Sequence, residues 1–94
     1  MNFTSSQAEI VALQALSWLA SEEDLLMVFL GATGASVDDL RIRAGDAEFL
    51  GSILDFLMND DAWVMRFCDS VNLPYDTPMH ARTALPGGAQ FHWT

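Results

Sequence analysis

The sequence predicts an all-α protein: a compact bundle of about six helices, with two helix-corner-helix units and a short irregular C-terminal tail. Three observations carry this. Apolar residues recur at three- and four-residue spacing in several windows, and no window alternates with period two. Residues that cap helix N-termini recur along the chain. Residues suited to the left-handed position after a helix alternate with them.

The first helix, about 6–20, opens on "SQAE" (Ser6 to Glu9), a capping-box pattern. Ala12, Leu13, Leu16, Leu19 and Ala20 are expected to face the core, leaving Val11, Ala15 and Trp18 as a second stripe on the far side. The second helix, about 22–33, opens on "SEED" and stops at Gly34; Met27 and Val28 face away from its main stripe. The third, about 37–44, opens on "SVDD" and stops at Gly45. In each opening the acids sit where the helix dipole favours them. The fourth, about 47–58, follows Asp46. It is the cleanest amphipathic segment, with Phe49, Leu50, Ile53, Leu54, Phe56 and Leu57 on one side and Glu48, Gly51, Ser52 and Asp55 on the other. The fifth, about 61–71, follows Asp60, buries Val64, Phe67, Cys68 and Val71, and ends at Asn72. The sixth, about 78–85, has Thr77 as cap and Pro78 in its first turn. The tail "PGGAQFHWT" begins with helix breakers. One domain over 1–85 with a tail over 86–94 follows.

The chain also resembles itself. "EDLLMVFLGATGA" (Glu23 to Ala35) aligns with "DAWVMRFCDSVNL" (Asp61 to Leu73), matching Phe29 with Phe67 and Gly34 with Asn72. The following helices carry "LRIR" (Leu40 to Arg43) and "MHAR" (Met79 to Arg82), one residue further out of step.

Composition limits the function. The chain has 94 residues, 51% of them hydrophobic, a large share for so small an interior. Some apolar surface is expected to stay outside or meet a partner. The net charge is −9, with four arginines and no lysine, which opposes binding to nucleic acid or anionic lipid. A single cysteine, Cys68, forms no internal disulfide and suits a reducing compartment. The N-terminus shows no basic region followed by an apolar run, and "LLMVFLGA" (Leu25 to Ala32) is too short to span a bilayer. A cytoplasmic protein is expected.

"TGASVDDLRIRAG" (Thr33 to Gly45) has the outline of a helix-turn-helix, which raises a DNA-associated regulator as an alternative. Its second helix would lead with Asp38 and Asp39, which repel phosphate. Arg41 and Arg43 come late, within pairing reach of those acids. Leu30 is bulky where that motif packs a small residue. The corner reads as architecture.

No catalytic, cofactor-binding or metal set emerges. Cys68 and His80 could be a nucleophile and base, yet Cys68 lies on an apolar stripe with Asp69 beside it. His80 and His92 match no ligand spacing, and the aspartate pairs lack a calcium-loop pattern. Two groupings remain. Arg41, Arg43, His80 and Arg82 could share one face as an anion or carboxylate spot, which makes a small-ligand binder the other alternative. Val11, Trp18, Met27, Val28, Phe91 and Trp93 form the candidate interaction surface, because aromatic and methionine side chains concentrate at interfaces.

"AEIVALQALSWLA", then "FLGATGASVDDLRIRAGDAEFLGSILDFLMNDD", then "LP…ARTALPGG" resembles a family of small bacterial proteins, domain of unknown function 3572. "DLRIRAGD…FLGSILDFL" is the most specific part, and Ser36 departs from the proline-containing corner common there. The resemblance implies an all-helical domain and brings no activity, cofactor or catalytic residue. The leading expectation is a non-enzymatic protein-interaction module, through an unknown partner or self-association.

Overall fold

The computed structural model describes residues 3–86. Six helices follow in order: α1 (Ser5–Ser21), α2 (Glu23–Thr33), α3 (Val37–Arg43), α4 (Ala47–Leu57), α5 (Asp61–Val71) and α6 (Thr77–Thr83). Phe91 and Trp93 lie outside the described residues.

Most helix ends obey local chemistry. The Ser36 hydroxyl accepts from the Asp39 N–H at 3.1 Å, and the Asp39 carboxylate accepts from the Ser36 N–H at 2.9 Å. Asp46 and Asp60 cap α4 and α5 by accepting from the N–H groups of Glu48 and Ala62. Gly34 (φ 74°) and Asn72 (φ 57°) close α2 and α5 in the left-handed conformation expected of them.

Four ends differ from the sequence reading. At the start of α6 the N-cap is Asp76, whose side chain makes no capping hydrogen bond, and Thr77 is already the first helical residue. The capping box of α1 is built by Thr4 and Gln7, ahead of Ser6, which brings Ala8 into a full helical turn. Ser21 caps nothing, because its hydroxyl donates to the Trp18 carbonyl at 2.7 Å and Glu22 alone separates α1 from α2. Gly45 takes no left-handed turn; α3 stops at Arg43, and the Asp46 N–H closes on the Arg43 carbonyl at 2.9 Å.

The core is built around α4, whose Phe49, Leu50, Ile53, Leu54 and Leu57 are all buried. Helix α1 packs chiefly on α4 and α6, then on α2, and more lightly on α5. It does so with Ala8, Val11, Ala12, Ala15 and Leu19. This corrects the expected facing: Val11 and Ala15 are core, while Leu13 and Ala20 are exposed. Both sides of α1 are apolar, so periodicity could not choose between them. The alanine side wins because small side chains let two helix backbones approach closely. An aromatic run extends the core, with Phe29 edge-on to Phe49 and Phe56 and Phe56 stacked on Trp63.

Gly51 is buried, not on the polar side of α4. The reason is Arg82 of α6, whose side chain is only 10% exposed. Its Nε donates to Asp55 Oδ1 at 2.7 Å and its Nη1 to the Pro86 carbonyl at 3.0 Å. A Cβ on Gly51 would sit 3.0 Å from Nη1. The glycine is the slot that lets the guanidinium cross α4.

Candidate docking surface

The side of α1 that the core leaves out forms one wall of an apolar groove of about 420 Å³. Leu13, Leu16 and Ala20 line it from α1, Leu26 from α2, and Val37 and Leu40 from α3. Leu16, Leu26 and Leu40 are its floor, since they also reach the core cluster. Leu13 is 42% exposed and Val37 56% exposed, so the two lips are apolar and open to water. Ile10, one turn before Leu13, extends the α1 lip. Arg41 stands on the α3 side.

The residues expected at an interaction surface divide. Met27 (67% exposed) and Val28 (52% exposed) are open to water on α2. Val11 is not a surface residue; it packs in the core for the reason given above. Trp18 is half-buried between α1 and α5, edge-on to Phe67 at 6.0 Å, with the Arg66 guanidinium 5.7 Å from its ring centroid. Arg66 also pairs with Glu22. The exposed apolar residues that the sequence reading missed are Ile10, Leu13, Val37, Ile42, Met65, Tyr75 and Met79. For Ile10 and Leu13 the signal was present: the larger apolar side chains of α1 stand opposite its alanine face.

Three of the four cations expected to form an anion spot are engaged separately. Arg82 is buried against Asp55. His80 Nε2 lies 3.3 Å from Asp76 Oδ2, one turn before it. Arg43 reaches Asp46 at 4.0 Å and covers the Phe49 ring at 4.6 Å. Arg41 belongs to the groove. Each of the first three already holds a carboxylate, so they do not form an open basic face.

Other chemistry is equally local. Cys68 is fully buried. Desolvation first, then the carboxylates of Asp69 and Asp76, push its thiol above the usual value, which suppresses the nucleophilic thiolate. Hydrogen bonds from the Ser36 backbone and hydroxyl hold the Asp39 carboxyl below its usual value, so the first turn of α3 carries a firmly ionised acid. That is the turn a DNA-reading helix would place in the major groove. Among the described residues, no group of three or more His, Cys, Asp or Glu side chains could hold a metal ion. No described helix is long and apolar enough to cross a membrane.

No curated protein and no solved structure matches the chain significantly. The model of one family, described as protein of unknown function (DUF3572), matches residues 5–88. That span takes in all six helices, both corners and every residue of the groove, and the chain belongs to the DUF3572 family.

Proposed function

We propose that this protein is a non-enzymatic interaction module that holds a partner in the apolar groove between α1, α2 and α3. The observation that carries the reading is the pair of open apolar lips, Leu13 and Val37, on either side of an apolar floor. A small body gains nothing in its own stability from leucine and valine left in water, while a partner that covers them removes apolar surface from solvent. Helical grooves with this lining receive the apolar face of another element. The buried, neutral thiol of Cys68 and the carboxylate-paired Arg43, Arg66 and Arg82 supply no reactive group that competes with this reading. A cytoplasmic setting suits the single free cysteine.

Site-specific photocrosslinking tests it. A photoreactive residue replaces Leu13 in one variant and Asp61, on the exposed side of α5, in another, and both are irradiated in extract of the native host. Discrete adducts at Leu13 that are absent at Asp61 are expected. The same adducts at both positions, or none at Leu13, would overturn the reading.

A further inference from the structure

The groove has a length and an electrical sign, and together they describe its occupant. Resting on the docking reading above, we infer that the groove takes a basic amphipathic helix of a partner protein. Along α1 the wall runs from Leu13 to Ala20, seven residue rises or about 10.5 Å. An occupant helix that anchors through positions i, i+3 or i+4, and i+7 spans the same length. The lining is apolar from end to end apart from Ser17 and Arg41, so those anchors are apolar.

The charge comes from around the groove and not from its lining. Helices α1 and α2 contain no lysine, arginine or histidine. None of the carboxylates lines the groove itself, and Glu23 and Asp24 line a neighbouring recess with Arg66. The three helices together carry five, Glu9, Glu23, Asp24, Asp38 and Asp39, against two guanidiniums. One of those, Arg43, is paired with Asp46 outside the groove. Glu9 lies one turn before Leu13 on α1, and Glu23 one turn before Leu26 on α2. The chain as a whole bears −9, a field that draws cations to an apolar slot and repels acidic partners. Arg41 is the local exception. It forbids a cation beside the α3 lip and so places the occupant's basic residues towards its ends.

A second copy of this chain does not meet the description. Exposed Ile42 of α3 does stand between Arg41 and Arg43, but α3 has only seven residues and also carries Asp38 and Asp39. Helix α5 turns Phe67 and Cys68 of its stripe into its own core, and two bodies of −9 repel each other.

The test uses two synthetic helical peptides of about fourteen residues, roughly four turns. Both carry leucines at three- and four-residue spacing; one has lysine at its outer positions and the other glutamate. Binding to the full chain is read by fluorescence anisotropy at physiological ionic strength. The lysine peptide is expected to bind at least about tenfold tighter than the glutamate peptide. It is expected to lose about tenfold on the Leu13→Ser/Val37→Ser variant, whose net charge is unchanged. Val37→Ser alone serves if circular dichroism shows the double variant has lost helicity. Lysine-peptide binding that survives in the variant is charge attraction without docking and overturns the inference. Tighter binding of the glutamate peptide, lost in the variant, overturns the sign of the occupant and leaves the groove reading standing. Binding of neither peptide also overturns the inference, while the Leu13 crosslink still decides whether the groove docks anything.

Discussion

Replacing Gly51 by alanine tests the contact that locks α6 onto α4. In an exposed helix interior this change stabilises by about 0.5–1 kcal/mol, because alanine loses less backbone entropy. Here the new Cβ would stand 3.0 Å from Arg82 Nη1 and 3.1 Å from its Cζ. An arginine at the surface would swing away. This one is 10% exposed and held by Asp55 and the Pro86 carbonyl, so it yields only by stretching those bonds. Overpacking of this kind costs about 1–3 kcal/mol. The net expectation is a loss of about 1 kcal/mol, within a span of about 0–2.5 kcal/mol, after the propensity gain is subtracted. In a domain of this size each kcal/mol moves Tm by about 4–8 °C. The decisive measurement is a double-mutant cycle with Arg82→Met, followed by urea unfolding and circular dichroism. Methionine lacks the atoms that the Cβ would strike. In that background Gly51→Ala should change sign and stabilise by about 0.5–1 kcal/mol. If Gly51→Ala stabilises the unaltered protein, or has the same effect in both backgrounds, the slot argument is wrong.

The other predictions use positions where one physical effect stands alone. Gly31 lies inside α2, and a Cβ added there would meet nothing within 4 Å, so Gly31→Ala should raise stability by about 0.5–1 kcal/mol. Gly34 is just as open but sits at φ 74°, so Gly34→Ala should lower it by about 1 kcal/mol in the same urea assay. Trp18→Ala should cost about 2–3 kcal/mol, below the range for a fully buried tryptophan, because the side chain is only half-buried. A near-zero cost would return Trp18 to the surface. Tyr75 is the sole tyrosine, and its hydroxyl donates to Asp69 Oδ1 at 2.8 Å, which raises its pKa above the usual value near 10. A raised folded-state pKa gives stability that is complete below the unfolded value and lost as pH rises through the folded one. Ultraviolet titration should therefore show tyrosinate forming late, and Asp69→Asn should bring it earlier; an unchanged curve would contradict the hydrogen bond.

What was legible in the sequence was local. Ser36, Asp46, Asp60, Gly34 and Asn72 do what their chemistry dictates within one turn, so the number and order of the helices followed from them. What was not legible depended on the distance between helices. The choice of face on α1 rests on how closely α4 and α6 approach it, and a period of 3.6 is the same for an alanine stripe and a leucine stripe. The groove is hidden for that reason: periodicity alone sends Leu13 to the core and Val11 to the surface. Arg82 and Asp55 are 27 residues apart in the chain, so nothing local announces their pairing. One clue exists, a glycine in the middle of the strongest helix, where it costs about 1 kcal/mol unless something needs the space.

The groove follows from an asymmetry between the two helix-corner-helix units. Helices α2 and α5 each have eleven residues and end in a left-handed corner, and the aligned Phe29 and Phe67 are both fully buried. Helices α3 and α6 each have seven residues. In the "LRIR" and "MHAR" register Arg43 matches Arg82, and both reach an aspartate of the α4 segment, Asp46 and Asp55. The units part at the residue before. Ala81 of α6 is fully buried, with Thr77, Pro78 and Arg82 buried around it, and α6 lies close on α1 and α4. Its counterpart Ile42 is 78% exposed, and α3 buries Leu40 alone. An alanine fits against a neighbouring backbone where an isoleucine would hold it off, so α3 turns that position outward and stands away from α1. The space between them is what a fully docked α3 would have filled. The open lips at Leu13 and Val37 are thus a consequence of how one unit packs, and any element that covers them completes a layer that α6 already completes on the other side.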